Sequence, residues 1–121
     1  NRTSGANAGP VSDFHRQLVN RAIAYMQEHA TSAIRLEDVA MQSFVSKNHF
    51  SRLFREVTGT KFSDHLQKLR IEEAIHLLST TDGKVTDIAL QCGFHDIKHF
   101  YGIFRRQTGG TPGQYRGRKG K

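Results

Sequence analysis

The chain has 121 residues, enough for one domain or two very small ones sharing a helix, and 24% of them are charged. Its unbroken apolar stretches run only a few residues, which excludes a transmembrane helix, and no signal peptide is visible. Eighteen Lys and Arg against eleven Asp and Glu give a net charge of +7 and favour a polyanionic partner, either nucleic acid or an anionic membrane face.

The first dozen residues, "NRTSGANAGPVS", are small and polar, and read as a disordered linker or a remnant of expression. From Asp13 the pattern changes. Phe14, Leu18, Ala22, Tyr25 and Met26 recur at three- and four-residue steps, so "DFHRQLVNRAIAYMQEHA" reads as an amphipathic helix. Leu36, Val39 and Ala40 share one face of a short helix, a non-helical break follows near Ser43 to Val45, and Ser46 is a good N-cap. The next helix carries Phe50, Leu53, Phe54 and Val57 on one side and stops before Gly59, a left-handed terminator. "SDHLQKLRIEEAIHLLST" is a longer helix whose apolar positions wrap more than half its circumference, which calls for neighbours on several sides. "TTDGK" breaks the chain. "VTDIALQCGF" and "DIKHFYGIFRRQTGG" follow as two helices, and Thr111 with Pro112 starts a last short one, "TPGQYR". The tail from 117 to 121 is basic. No strand-like alternation with hairpin signals occurs, so the fold class is all-α with about seven helices.

An internal repeat organises these helices. "VAMQSFVSKNHFSRLFREVTGTKFSDHL" lies over "IALQCGFHDIKHFYGIFRRQTGGTPGQY" with one extra residue in the second turn. Ala40 then matches Ala89, Gln42 matches Gln91, and His49, Phe50, Phe54, Thr58 and Gly59 match His99, Phe100, Phe104, Thr108 and Gly109. Each copy is a short helix, a tight turn and a second helix with the same apolar phase, which is a helix-turn-helix. Opposite the buried stripe of the first copy lie Asn48, Arg52 and Arg55, with Ser51 at the edge. In the second copy Lys98, Tyr101, Gly102 and Arg105 take the matching places. Both outer faces read as free of carboxylates, which suits a phosphate-lined groove.

The segment "QCGFHDIKHF" also offers Cys92, the chain's single cysteine, with His95 and His99 at a spacing zinc could use. Against this, Asp96 matches Ser46 as the N-cap, Cys92 matches Ser43 at a packing position, and a structural zinc site closes with four ligands rather than three. The reading adopted has no metal and no cofactor. Gly93 supplies a positive φ in the turn, and Phe94 and Phe100 clamp the helix pair. A single cysteine excludes an internal disulfide and fits a reducing, cytoplasmic setting. No G-x-S-x-G, phosphate-cradling glycine loop or H-E-x-x-H is present, so the chain does not read as an enzyme.

The second copy carries an I-A pair, G-F, a spaced Phe100…Phe104, and then G…T-P…Y-R. Together with the first copy at the right separation, these features resemble the DNA-binding domain of the AraC/XylS family of bacterial transcription regulators, over about Val19 to Arg116. The resemblance implies two homeodomain-like helix-turn-helix subdomains, about 36–58 and 85–107, joined by a linker helix at about 62–79. Each subdomain would present a recognition helix to the major groove of double-stranded DNA. Carried over by position, the first helix offers Lys47, Asn48, Ser51, Arg52 and Arg55. The second offers Ile97, Lys98, His99 and Tyr101, with Arg105 towards phosphate. Arg52 is the leading base reader, bidentate to guanine, and Asn48 could serve adenine in the same way. Tyr101 and Ile97 suit a thymine methyl, and Lys47, Arg55, Lys98 and Arg105 suit phosphates.

Two positions depart from the family pattern. Ser43-Phe44 stands where the family often has an apolar residue and glycine, and Gly102 stands where the first copy has Arg52, so the first helix is expected to dominate specificity. The resemblance further implies an activator that touches RNA polymerase. An effector-binding or dimerisation domain is expected outside this sequence, making the chain a stand-alone regulator or the end of a longer protein. The competing reading is a sequence-indifferent nucleic-acid-binding or architectural module. It accounts for the charge but leaves the duplicated helix pairs unexplained.

Overall fold

Seven helices, with no strand among the described residues, form the computed structural model, which describes residues 12–119. They are α1 (Asp13–His29), α2 (Leu36–Gln42), α3 (Lys47–Thr58), α4 (Phe62–Thr80), α5 (Val85–Gln91), α6 (Ile97–Thr108) and α7 (Pro112–Lys119). Of the twelve N-terminal residues read as a linker, 1–11 lie outside the described residues, as do 120 and 121, while the twelfth, Ser12, accepts from the His15 amide at 3.2 Å through Oγ and so caps α1. α7 continues to Lys119, past Arg116, where the sequence pattern had ended it.

The chain divides into two units. The first takes in α1, α2, α3 and the opening turn of α4. Its core is built from Leu18, Val19, Ala22 and Met26 of α1, Val39 and Ala40 of α2, Phe50, Leu53 and Phe54 of α3, and Phe62 of α4, all buried. Three of these rings form a closed triangle. The centroids of Phe50, Phe54 and Phe62 lie 5.9, 6.1 and 5.7 Å apart, two of the pairs edge-on, an arrangement that aromatic quadrupoles favour. Phe50 and Phe54 have no exposed surface, so truncating either to alanine should cost about 3–5 kcal/mol.

The second unit holds residues 30–33 and the chain from Leu66 onward. Its core comprises Ile71, Ala74 and Leu78 of α4, Ile88 and Ala89 of α5, Cys92 and Phe94 of the turn, and Phe100, Ile103 and Phe104 of α6, with Tyr115 of α7 packed against it. The broad apolar coverage of α4 has its explanation in these two cores. Phe62 serves the first, while Ile71, Ala74 and Leu78 serve the second.

Local chemistry places the helix ends. Ser46 Oγ accepts from the His49 amide at 3.1 Å, and Asp96 Oδ1 accepts from the amides of Lys98 at 3.0 Å and His99 at 3.4 Å. α3 and α6 both stop at a glycine with left-handed backbone, Gly59 at φ 82° and Gly109 at φ 85°. The hydroxyls of Thr58 and Thr108 each donate to the carbonyl four residues back, Phe54 and Phe104, at 2.8 Å. α7 opens with a reciprocal capping box: Thr111 Oγ1 accepts from the Gln114 amide, and Gln114 Oε1 accepts from the Thr111 amide, each at 3.1 Å.

Candidate nucleic-acid interface

The site is built on two turns that share one hydrogen-bond scheme. In the first, the Ser43 amide donates to Val39 O, the Phe44 amide to Met41 O, and the Val45 amide to Ala40 O. In the second, Cys92 donates to Ile88 O, Gly93 to Leu90 O, and Phe94 to Ala89 O, position for position the same. The central residue is left-handed in both, Phe44 at φ 61° and Gly93 at φ 98°. Phe44 is the one non-glycine residue with positive φ among those described, and its ring is almost wholly exposed. The departure at Ser43-Phe44 therefore leaves the shape of the turn intact. Ser43 Oγ adds a bond of its own to Val39 O at 3.0 Å.

Gly93 answers to a second constraint. A Cβ there would stand 2.9 Å from Arg70 Nε and 3.2 Å from the Thr31 carbonyl oxygen. Arg70 is fixed in that place because its Nε donates to Ala30 O at 2.6 Å and its Nη2 to Ser32 O at 2.9 Å. Burial lowers the pKa of this guanidinium from its ordinary value, with the neighbouring Cys92 acting weakly the other way. Arg116 has an equivalent task, donating to the carbonyls of Leu78, Gly83 and Thr81 at 3.2, 2.7 and 2.9 Å. Sequence reasoning assigned neither arginine a role. Arg116 had surfaced only as the last letter of the Y-R motif, and Arg70 gave no signal.

Each turn delivers a capped helix with one buried and one open side. On α3, Lys47, Asn48, Ser51, Arg52 and Arg55 are all exposed, while Phe50, Leu53 and Phe54 are buried. On α6, Ile97, Lys98, His99, Tyr101, Gly102 and Arg105 are exposed, and Phe100, Ile103 and Phe104 are buried. Ile97 and Tyr101 are only modestly so, at 36% and 39%. The Tyr101 ring stands edge-on to Phe100, with centroids 5.9 Å apart.

Two carboxylates bear on the α3 face that the pattern had presented as free of them. Lys47 Nζ is 3.5 Å from Glu37 Oε2 of α2. Glu37 titrates below the ordinary value of 4.5, chiefly through a backbone hydrogen bond at its own position and further through the Lys47 charge, against some desolvation. Glu56 is exposed one turn beyond Arg52, which helical spacing puts at the edge of the same face. Arg52, Arg55, Lys98 and Arg105 have no ion-pair partner among the described residues.

Cys92 is fully buried and its thiol is pushed up to about 12 by burial first and the Glu73 charge second, with Arg70 opposing. It is a packing group in thiol form at neutral pH, as its match to Ser43 suggests. His95 and His99 are exposed, and His99 stacks edge-on to Phe94 at 6.1 Å. Among the described residues no three His, Cys, Asp or Glu side chains gather closely enough to hold a metal ion. No helix among them is long and apolar enough to cross a membrane.

A family model described as "Helix-turn-helix domain" matches residues 39–118. Regulatory protein SoxS of Escherichia coli (strain K12) is 34% identical over 104 residues, which cover 86% of this chain and 97% of SoxS. The transcriptional activator RhaS of Klebsiella pneumoniae (strain 342) is 36% identical over 94 residues. Those span 78% of this chain but only 34% of RhaS, so the chain matches about a third of that relative's length. Among solved structures, an AraC-type transcriptional regulator from Chromobacterium violaceum is similar with a TM-score of 0.81 at 27% identity, covering 88% of this chain and 95% of that one. The DNA-binding domain of the transcriptional factor AdpA, solved with a target DNA, is similar with a TM-score of 0.78 at 33% identity, covering 83% of this chain and 90% of that one.

Proposed function

The chain belongs to the AraC/XylS family of transcription regulators, as a DNA-binding domain of that family, and on this premise we propose that it binds double-stranded DNA sequence-specifically and activates transcription. The observation that carries this reading is the pair of capped helices, α3 and α6. Each follows a turn with the same three backbone bonds, and each exposes cations and neutral polar groups along its outer face, with Glu56 at the edge of the first. The SoxS and RhaS likeness and the DNA-bound AdpA domain support it.

In this proposal Arg52 is the principal base reader, its fork of donors matching guanine O6 and N7. Asn48 and Ser51 read beside it. Tyr101 and Ile97 meet thymine methyls, and Lys47, Arg55, Lys98 and Arg105 position the protein on phosphates. RNA polymerase is the protein partner that activation calls for.

Selecting bound duplexes from a random pool at a stated salt concentration tests the reading. The expected product is a motif with two unlike half-sites about one helical turn, roughly 10 base pairs, apart. Equal recovery of all sequences would instead identify a sequence-indifferent module and overturn the proposal.

A further inference from the structure

Gly102 lies midway along α6, where glycine is the weakest helix former after proline. Its backbone is not left-handed, unlike that of Gly59, Gly93 and Gly109. A Cβ added there would find no atom within 4 Å, whereas one at Gly93 would strike Arg70. Neither backbone conformation nor packing within the chain calls for glycine at 102, and alanine would make α6 more stable.

The position is nonetheless central to the proposed reading face. Lys98 is one turn before it, Tyr101 is beside it and Arg105 is one turn after it, all exposed. The repeat puts Arg52 at the same place on α3. A helix with arginine at the middle of its outer face can stand off from the groove and reach in. One with a bare backbone there, and with its stiff tyrosine and partly exposed isoleucine further round the helix, must come close for those groups to touch the bases. Glycine is the residue that allows a backbone to approach a ligand so closely.

We propose, resting on the DNA-binding reading above, that Gly102 is a clearance position. The backbone of α6 makes van der Waals contact with the duplex at the second half-site, and the missing side chain lets Tyr101 and Ile97 reach the base edges.

The test uses the full 121-residue chain, the duplex selected by the wild type, and the same duplex with its second half-site scrambled. Gly102→Ala is expected to raise Tm by about 4–8 °C, because it removes a helix-interior glycine. It is also expected to weaken binding to the selected duplex by roughly tenfold or more. Scrambling the second half-site should abolish the difference from wild type. Gly102→Arg, which copies α3, should bind more weakly still. Alanine binding as tightly as glycine, or arginine binding more tightly, would show an unused position and overturn the inference. An unchanged or lower Tm would overturn it too, by showing that the fold itself needs glycine there. A wild type that selects no duplex would bring down the functional reading before any substitution is made, so the two failures are distinguishable.

Discussion

The two helix-turn-helix copies share a turn and differ in what fills it. Phe44 and Gly93 occupy the same left-handed position in the same hydrogen-bond scheme, so the scheme itself does not demand glycine. What demands it in the second copy is Arg70, which would collide with any side chain at 93. The first copy has no such neighbour, and Phe44 projects into solvent. A left-handed site can thus be glycine for two separable reasons, backbone strain and lack of room, and only the second copy has both. The outer faces of α3 and α6 diverge as well. α3 carries Asn48, Ser51, Arg52 and Arg55, whereas α6 carries two cations around a bare Gly102.

Substitution at the turn centres should separate the two reasons most strongly. Gly93→Ala combines left-handed strain with displacement of Arg70 from Ala30 and Ser32, and is expected to cost about 2–4 kcal/mol in urea unfolding. Phe44→Ala keeps the strain and loses little packing, so its stability should stay within about 0.5 kcal/mol of wild type. Equal losses at the two positions would refute the distinction drawn from Arg70.

Anchoring by arginine is the next largest contrast. Arg116→Met removes three hydrogen bonds from a charged donor to the carbonyls of Leu78, Gly83 and Thr81. Its expected cost is about 2–3 kcal/mol, measured by the same unfolding titration, with hydrogen-exchange protection lost first in residues 81–84. Unchanged protection there would show that the loop is held by other means.

Phe44→Gly should move stability the other way. Relief of left-handed strain outweighs the extra freedom of the unfolded chain, for a gain of about 0.5–1 kcal/mol. A loss would mean that the exposed ring does more for the turn than its surroundings indicate.

The smallest effect concerns Glu37. Its carboxylate engages Lys47, a phosphate candidate, so Glu37→Gln should tighten DNA binding by roughly two- to fivefold at low salt, as read by fluorescence anisotropy. Because Glu37 titrates below its ordinary value, the carboxylate is charged throughout the neutral range, and the pair is lost only as pH falls through the depressed pKa. The advantage of the variant should therefore be constant from about pH 6 to 8. A decline across that range would assign the pairing to some other group.

Local chemistry made much of this legible beforehand. Ser46 and Asp96 as caps, Gly59 and Gly93 as left-handed residues, and the phase of Phe50, Leu53 and Phe54 all follow from signals within one turn of sequence. The repeat also matched Gly102 to Arg52, and with it came the contrast between the two outer faces. Long-range contacts were not legible. Arg70 bonds to a carbonyl 40 residues away and Arg116 to one 38 away, separations that carry no periodic trace. Phe44 had been singled out at the family's glycine place, but its left-handed backbone was not foreseen, because propensity argues against a bulky residue there and the hydrogen bonds of the turn override it. Glu37 escaped the projection of α3 because it belongs to a different helix.

Repeating the duplex selection with Arg52→Ala tests most directly whether α3 reads bases. The expected result is that one position of one half-site becomes degenerate at a cost of about 1–3 kcal/mol, while the other half-site keeps its sequence. An unchanged motif, or a uniform loss of affinity on every duplex including random DNA, would place Arg52 off the bases and contradict the account.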